Sequence, residues 1–427
     1  MVRFLLIPTI VVLLALALPA LGQDSLNCRQ VGLWPGDRGD DQGGWSVALD
    51  PDRDIVYLCM DSTDWEHGTR SSVYVLDVSD PSQPRMLSVI RLDRVGDFYS
   101  VACQSNRLYA TSAEEFALKV WDVTDPAEPA HLGSLDAGYS GWRMAVVGDY
   151  VYLAALDDGL RIVDVSDPQH PAEAGHYPAS FAWDVAVVGE LAYVSDVDSG
   201  LRIIDVSDPA NPHEVGFCAA PGPGSFYRVA VTGNYAYVAD DGWPYPRDSG
   251  YVRVIDVSDP AEPVLAASWP VRSGCLGVAR SGSLLYAAAA VRGLRILDVA
   301  SPEHPAEVGH YRVGGFQPLF ANDVAAAGNL AYVSDGLWGL RIIEFLGAGV
   351  EEPRPAPVAR PALGLRPNPA RYSVHLAGTE GVGLYAPDGR RVALLQPGEN
   401  DVRHLAPGVY FVRRQDTGES GRLVLAR

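Results

Sequence analysis

Cysteine is scarce in this chain. Its 427 residues hold five, at Cys28, Cys59, Cys103, Cys218 and Cys275. They are odd in number and widely spaced, and no CxxC pair offers a zinc or dithiol redox site. They read as small apolar strand residues. Long apolar runs are also missing. Beyond Leu5 to Leu18, no stretch is long enough to cross a bilayer. No segment after that run carries a helical period. Positive charge is short as well: the formal net charge is −20. Nucleic-acid binding needs a basic footprint and is excluded on that balance, whereas cations and basic partners stay open. No GxSxG, HExxH or phosphate loop is present. The histidines build no site. His170, His176, His304 and His310 fall in repeated stretches, and only His67 lies in a segment that breaks the repeat.

What is present is repetition. Leu201-Arg-Ile-Ile-Asp-Val-Ser-Asp-Pro-Ala-Asn-Pro212 recurs as Val73 to Pro84, Leu118 to Pro129, Leu160 to Pro171, Val252 to Pro263 and Leu294 to Pro305. A clipped copy is Leu340 to Phe345. The matching acids are Asp77, Asp122, Asp164, Asp205, Asp256, Asp298 and Glu344, at steps of 41 to 51 residues. A period near forty residues points to a propeller or solenoid. Each unit holds four short segments rich in Val, Ile and Tyr, split by Gly, Asp and Pro, and these read as strands. Seven copies of a small-residue inner strand follow the chain, from Ser46-Val-Ala through Val185-Ala-Val to Val324-Ala-Ala. Seven units of four strands predict an all-β, seven-bladed β-propeller, which hides the sheet edges that an open stack exposes.

The repeats end at Phe345 with no outer strand to follow, and Cys28 to Trp34 resembles one. That stretch is expected to complete the last blade and close the ring. The Ser-Asp-Pro stretch predicts a tight turn, and the proline after it starts an edge strand and discourages outside pairing. A base stands three residues before most of the acids, as in Arg202 and Asp205. Two readings are open: a ladder of ion pairs between blades, or acids that only bond the turn backbone.

Residues 1–22 read as a signal peptide, with Arg3, the apolar core and Ala20-Leu21-Gly22 before Gln23. Cleavage there leaves no membrane span, and export leaves room for one disulfide. The propeller is expected over 23–346 and a Pro-rich linker over 347–362. A small C-terminal immunoglobulin-like β-sandwich is expected over 363–427, with strands Tyr372 to Leu376, Val382 to Tyr385, Arg391 to Leu395, Val409 to Arg413 and Arg422 to Leu425. Residues 353–427 carry net +5 and residues 1–352 net −25, so a charge break coincides with the linker.

Leu-Arg-Ile-x-Asp-Val-Ser-Asp-Pro, with Val-Ala-Val-x-Gly and Ala-Tyr-Val, resembles the LVIVD-repeat propellers of bacterial surface proteins over residues 28–346. That family implies a cell-surface propeller and no settled activity. The tail is similar to the C-terminal sorting domain of type IX secretion. The matching residues are Pro367-Asn-Pro369, Leu384 to Arg391, Leu405 to Val412 and Leu423 to Leu425, with Ala386 where that family often has an acid. The resemblance implies the type IX machinery as a partner and delivery outside the outer membrane, secreted or at the cell surface.

Propellers bind where the loops before the inner strands meet the loops after the next strands. Those loops are aromatic here: Trp45, Phe98 with Tyr99, Trp142, Trp183, Phe226 with Tyr227, and Phe320. Beside them stand Arg143, Asp184, Arg228, Asn322 and Asp323. Such a mouth suits an extracellular glycan, peptide or protein, although the same aromatics also fit a plug packed between blades. Two insertions break the repeat, one carrying Trp65 and the other Trp243. Asp61, Asp64 and Glu66 in the first offer oxygen ligands for calcium, in a spacing unlike an EF-hand. No other cofactor is indicated. The expectation is a binding protein and not an enzyme. The alternatives are a polymer-degrading hydrolase or lyase using top-face carboxylates, and a purely structural surface-layer component.

Overall fold

The structure is a computed structural model of the chain. It describes residues 24–36, 41–64, 68–91, 98–112, 118–136, 141–221, 225–242, 250–312, 319–336 and 338–347, and short strands in the tail. The signal segment, most of the linker, Trp65, Glu66 and Trp243 lie outside the described residues. The chain divides into two compact units, residues 1–352 and 353–427.

The first unit is a ring of seven antiparallel sheets and no helix among the described residues. Blade 4 is typical: Ala182–Val188 innermost, then Leu191–Asp196, Gly200–Asp205 and His213–Ala219 at the rim. Inner strands touch in order around the ring, and that of blade 7, Ala321–Ala327, touches that of blade 1, Asp41–Asp50. The second strand of a blade is buried on both faces because a neighbouring blade covers each. It therefore reads as a largely apolar run with a buried tyrosine at its third position, from Tyr57 to Tyr332. The core is accordingly not central. It is divided among the blade junctions, as in Ile162, Val185 and Val194 between blades 3 and 4.

The N-terminus closes the ring. Cys28–Trp34 pairs antiparallel with Gly339–Phe345, from Cys28↔Phe345 to Trp34↔Leu340, as the outer strand of blade 7. Val31 itself is a bulge residue between Gln30↔Ile343 and Gly32↔Ile342. Just before it, Asp24–Leu26 adds a fifth strand to blade 6 by pairing with Ala306–Arg312. Asn27 turns the corner with φ 54°, and its side chain donates to the Val308 carbonyl at 2.7 Å.

The repeated turn proves to be a docking element. Asp77, Asp122, Asp164, Asp205, Asp256 and Asp298 each accept the backbone N–H two residues on, at 2.7–3.0 Å. These are Asx turns. Every outer strand carries one bulge at the same height, as at Val215 between Glu214 and Gly216. In blades 1, 2, 3, 4 and 7 the residue after it receives the next blade's turn. A β-carbon on Gly32, Gly133, Gly175 or Gly216 would overlap the carbonyl oxygen of Pro81, Pro168, Pro209 or Pro260, at 2.5 Å for Gly133. In blade 1 that position is Ser88, whose hydroxyl donates to the Pro126 carbonyl at 2.7 Å.

The arginine ion pairs seen among the described residues do not build an inter-blade ladder. Arg161 pairs with Asp158 and Glu173, Arg202 with Asp196 and Glu214, Arg253 with Asp240, Arg295 with Glu307 and Arg341 with Asp335. Every one of these partners lies in the base's own blade. The motif acids are taken by the turn backbone, and closer carboxylates on neighbouring strands take the bases. All five cysteines are free thiols, so the room left for a disulfide is not used.

In the second unit, Leu365–Arg366, Ser373–Leu376 and Gly398–Asp401 form one antiparallel sheet. Val382–Tyr385, Arg391–Leu395, Gly408–Arg413 and Ser420–Leu425 form another. The strand at Gly398–Asp401 was not expected from the sequence.

Candidate ligand-binding mouth

The mouth is built by irregularity at the start of the inner strands. In blade 4 Ala182 pairs with Asp196 and Asp184 with Ser195, which leaves Trp183 as the extra residue of a β-bulge. The same break leaves Tyr99, Trp45 and Asn322 at bulges, and Tyr227 with Arg228 in a wider one. A bulge re-aims side chains out of the alternation of the strand. In blade 3 Trp142 precedes the strand, tied by its N–H to the Ala154 carbonyl at 2.9 Å. Blade 6 has Leu276 there, tied in the same way to Ala288.

Three of these residues form a continuous half-buried arc. Trp142 and Trp183 have ring centroids 4.8 Å apart, and Trp183 and Tyr227 4.4 Å apart, tilted by 57° and 49°. Phe181 stacks on Trp183 at 6.2 Å. Burial and the hydrogen bond to Asp241 raise the Tyr227 phenol well above its ordinary pKa. The arc is held by strained backbone. Leu156 has φ 53°, unusual for a non-glycine residue, and exchanges two backbone hydrogen bonds with Ala182 of the next blade at 2.9 and 3.0 Å. This bridge joins the blades that carry Trp142 and Trp183. Ala290, with φ 40°, bridges blade 6 to Ala321, next to Asn322.

The next residue along each inner strand meets the axis: Ser46, Ser100, Arg143, Asp184, Arg228, Gly277 and Asp323. Small residues at three of these positions leave room for long side chains from the others. Arg143 reaches Asp323 at 3.4 Å, and Arg228 bonds Asp323 and lies 3.7 Å from Asp184. Blade 3 and blade 7 stand as far apart as a seven-membered ring permits, so this contact spans the axis. Asp323 also accepts the N–H groups of Val47 and Val324 at 3.1 and 2.9 Å. Asp184 accepts that of Val229 at 3.0 Å. Arg143 donates to the Trp45 carbonyl at 3.2 Å. Burial, then the neighbouring Arg228, lowers the Arg143 pKa to about 10. Burial raises that of Asp184 against the pull of Arg228 and Arg143.

The expected site residues therefore fall into two layers. Trp142, Trp183 and Tyr227 come together as the arc, with Trp45 and Asn322 elsewhere on the mouth and Asn322 donating to the Gly44 carbonyl at 2.8 Å. Tyr99 is at a bulge, but its side chain lies outside the described residues. Arg143, Asp184, Arg228 and Asp323 do not line the mouth as separate ligand groups. They are paired with one another as a buried floor. Of the residues expected to offer calcium ligands, Asp61 and Asp64 lie in the strand Ile55–Asp64, which pairs with Gly68–Asp77. Among the described residues no cluster of three His, Cys, Asp or Glu could hold a metal. The Tyr227–Asp241 link and the buried Asp196, Asp240 and Asp335 with their arginines were not foreseen. The last had a signal, an acid at the sixth position of the second strand in blades 4, 5 and 7, where blade 1 has Met60.

Residues 70–90, 138–178, 180–220, 223–270, 276–313 and 320–344 match the LVIVD repeat family, just over half of the chain. The chain belongs to the LVIVD repeat family. Blade 2 lies outside the matched residues of this LVIVD propeller. No curated protein matches it. Among solved structures it is similar to the computationally designed Ika8 protein, with a TM-score of 0.51 at 10% identity over 74% of this chain and 99% of that one. At that identity the likeness concerns the fold alone.

Proposed function

We propose that this LVIVD propeller is a non-enzymatic binding protein that takes an extracellular ligand or partner on its mouth face. The carrying observation is the arc of Trp142, Trp183 and Tyr227 on a closed floor. Repeat physics alone calls for no such arc, because the equivalent positions in blades 6 and 7 are Leu276 and Asn322. A shallow, partly apolar, preorganised surface suits recognition. The floor carboxylates, which a hydrolase or lyase would recruit, are committed to arginine and backbone N–H donors. A general acid or base needs a carboxyl free to exchange its proton.

The same proposal includes export. Residues 1–22 are taken as a cleaved signal, and the tail as a type IX sorting domain that delivers the propeller outside the cell or onto its surface. N-terminal sequencing of secreted protein should begin at Gln23, and deletion of 363–427 should strand the propeller inside the outer membrane. For binding, the mature full chain is screened on a glycan, peptide and polymer array beside Trp142→Ala and Trp183→Ala. A hit lost in both variants supports the mouth. An array without hits, or hits indifferent to both substitutions, refutes it.

A further inference from the structure

Two arginines on the mouth face stand out because they have no acid. In a unit of net −25, the neighbouring Arg161, Arg202, Arg253 and Arg341 each hold a carboxylate of their own blade. Arg272 and Arg292 meet neither a carboxylate nor a side-chain hydrogen-bond acceptor among the described residues. Arg272 lies in the loop before the inner strand of blade 6, and Arg292 in the loop after its second strand. One atom ties these loops together. The Ala289 carbonyl accepts from the Ser273 hydroxyl at 2.6 Å and from the Arg292 N–H at 2.7 Å. Arg272 is exposed, and no side-chain nitrogen of the half-buried Arg292 is sealed from solvent. Like charges on adjoining loops repel, and an oxyanion between them relieves both.

Arg272 is also held in place. Its φ is 61°, in the region that favours glycine. Leu156 and Ala290, also at positive φ on this face, form bridges between blades, and Arg272 forms none among the described residues. Its neighbours are pinned instead. Val271 and Ser273 are 2% and 1% exposed, and the Val271 N–H donates to the Gly250 carbonyl at 2.9 Å. Strain kept at an exposed charged residue on a fixed backbone points to a presented group. The same loop adjoins the aromatic arc. A β-carbon on Gly274 would lie 3.8 Å from Asp241 Cβ, and Asp241 holds the Tyr227 phenol at the end of the arc.

Together these features name a ligand chemistry. The arc takes an apolar ring face, and guanidinium groups take a planar oxyanion through paired N–H donors. A cationic ligand would be repelled by the arginines, and a neutral sugar would use the arc alone. An acidic peptide would first have to be ordered, and would set backbone N–H and C=O groups against the rings. A uronic acid carries its carboxylate on the same rigid ring whose C–H face suits the arc. We propose that the mouth takes an acidic glycan built of uronic-acid units, with a sugar ring on Trp183 and Tyr227 and a carboxylate on Arg272 and Arg292. This rests on the mouth being the binding surface.

The test is a tryptophan-fluorescence titration of the mature full chain with hexagalacturonate, hexamannuronate, cellohexaose, mannohexaose and hexaglutamate. A uronate oligomer should give a saturable change and bind at least about tenfold more tightly than the neutral sugars or hexaglutamate. Arg272→Gly combined with Arg292→Ala should weaken it by about tenfold, and so should Trp183→Ala. Glycine accepts the angle at position 272, so the double variant removes the charges without straining the loop, and matched melting curves check that both variants are folded. A neutral sugar or hexaglutamate bound as tightly as either uronate, in a Trp183-dependent way, overturns the acidic-glycan class and leaves the mouth standing. No response to any probe, or a uronate response untouched by the arginine variant or by Trp183→Ala, overturns the proposal. Only an array without Trp-dependent hits also removes the mouth.

Discussion

Gly216→Ala isolates the contact that carries the repeat. On an extended strand, alanine in place of glycine is ordinarily favourable by about 0.5–1 kcal/mol, because the unfolded chain loses more freedom with glycine. Gly216 has no positive φ that would forbid a side chain. Its added methyl would instead enter the Pro260 carbonyl oxygen and press on Pro263 at 3.1 Å. The neighbour is backbone of the next blade and cannot rotate away. Relief needs the turn or the outer strand to shift, at about 1–3 kcal/mol or more. The net expectation is a destabilisation of about 1–2 kcal/mol, against the sign of propensity. Gly309→Ala is the internal control. Blade 7 has no Asp-Pro turn, and a methyl there meets Cys28 Sγ and Phe345 at 3.0 Å and the Leu26 carbonyl at 3.1 Å, with no closer backbone. Urea unfolding followed by tryptophan fluorescence gives the midpoints. Gly216→Ala should fall clearly below the parent and below Gly309→Ala. A Gly216→Ala midpoint equal to the parent's, or above that of Gly309→Ala, refutes turn docking as the stabilising contact.

Three further outcomes follow from the same geometry. Asp323→Ala removes the carboxylate shared by the buried Arg143 and the half-buried Arg228 and should cost about 3 kcal/mol in the same assay, whereas Asp77→Ala, at an exposed turn, should cost about 1 kcal/mol. Deleting residues 24–34 removes the outer strand of blade 7 and should lower and broaden the unfolding transition. An unchanged, equally steep transition denies that strand its closing role. Burial pushes the Tyr286 phenol up to about 12, and burial raises Tyr109, Tyr152, Tyr193, Tyr237 and Tyr332 as well. Below an ordinary phenol pKa of about 10 both states hold the proton and nothing is lost. Above it the unfolded chain releases protons that the folded one keeps, so stability should drop between about pH 10 and 12, by about 3 kcal/mol for Tyr286 alone. Parallel phenolate absorbance and unfolding curves check this, and a midpoint flat across that window contradicts it.

The ring was legible because each blade repeats the same local chemistry. Asp-Val-Ser-Asp-Pro marks a turn wherever it occurs, and Ala-Tyr-Val marks a strand covered on both sides. Closure by Cys28 to Trp34 was legible for the same reason, as one outer strand out of place. The partner of each motif base was not. Strand alternation says which side a residue takes, but Arg202 chooses among Asp196, Glu214 and Asp205 by distances that sequence does not carry. The glycine at several turn contacts was visible, as in His213-Glu-Val-Gly216, yet its use needs two blades placed together. At the mouth the residue types were readable and their layering was not. A bulge moves Trp183 out of the alternation, and only the register shift at Ala182 and Asp184 shows that tryptophan and aspartate part there.

The axis explains why the informative residues are those that do not repeat. At the rim each blade has its own space, so two carboxylates per turn can recur in solvent at little cost. At the axis seven equivalent positions converge. Seven copies of one charged residue would stack like charges in a buried space, and seven large ones would not fit. Closing the axis therefore requires broken symmetry: Ser46, Ser100 and Gly277 yield room, and Arg143, Asp184, Arg228 and Asp323 fill it with balanced charge. Once those positions differ, so do the bulges that precede them, and one side of the mouth carries three rings where the other carries Leu276 and Asn322. A symmetrised floor tests this directly. Replacing Arg143, Asp184, Arg228 and Asp323 together by serine leaves a polar hollow without donors fixed across the axis. The ring should still fold, since the blade-junction cores are untouched, while Trp142 and Trp183 lose their rigid support and their fluorescence shifts toward that of exposed tryptophan. An unshifted spectrum would mean that the blade-to-blade bridge at Leu156 and Ala182 holds the arc without the floor.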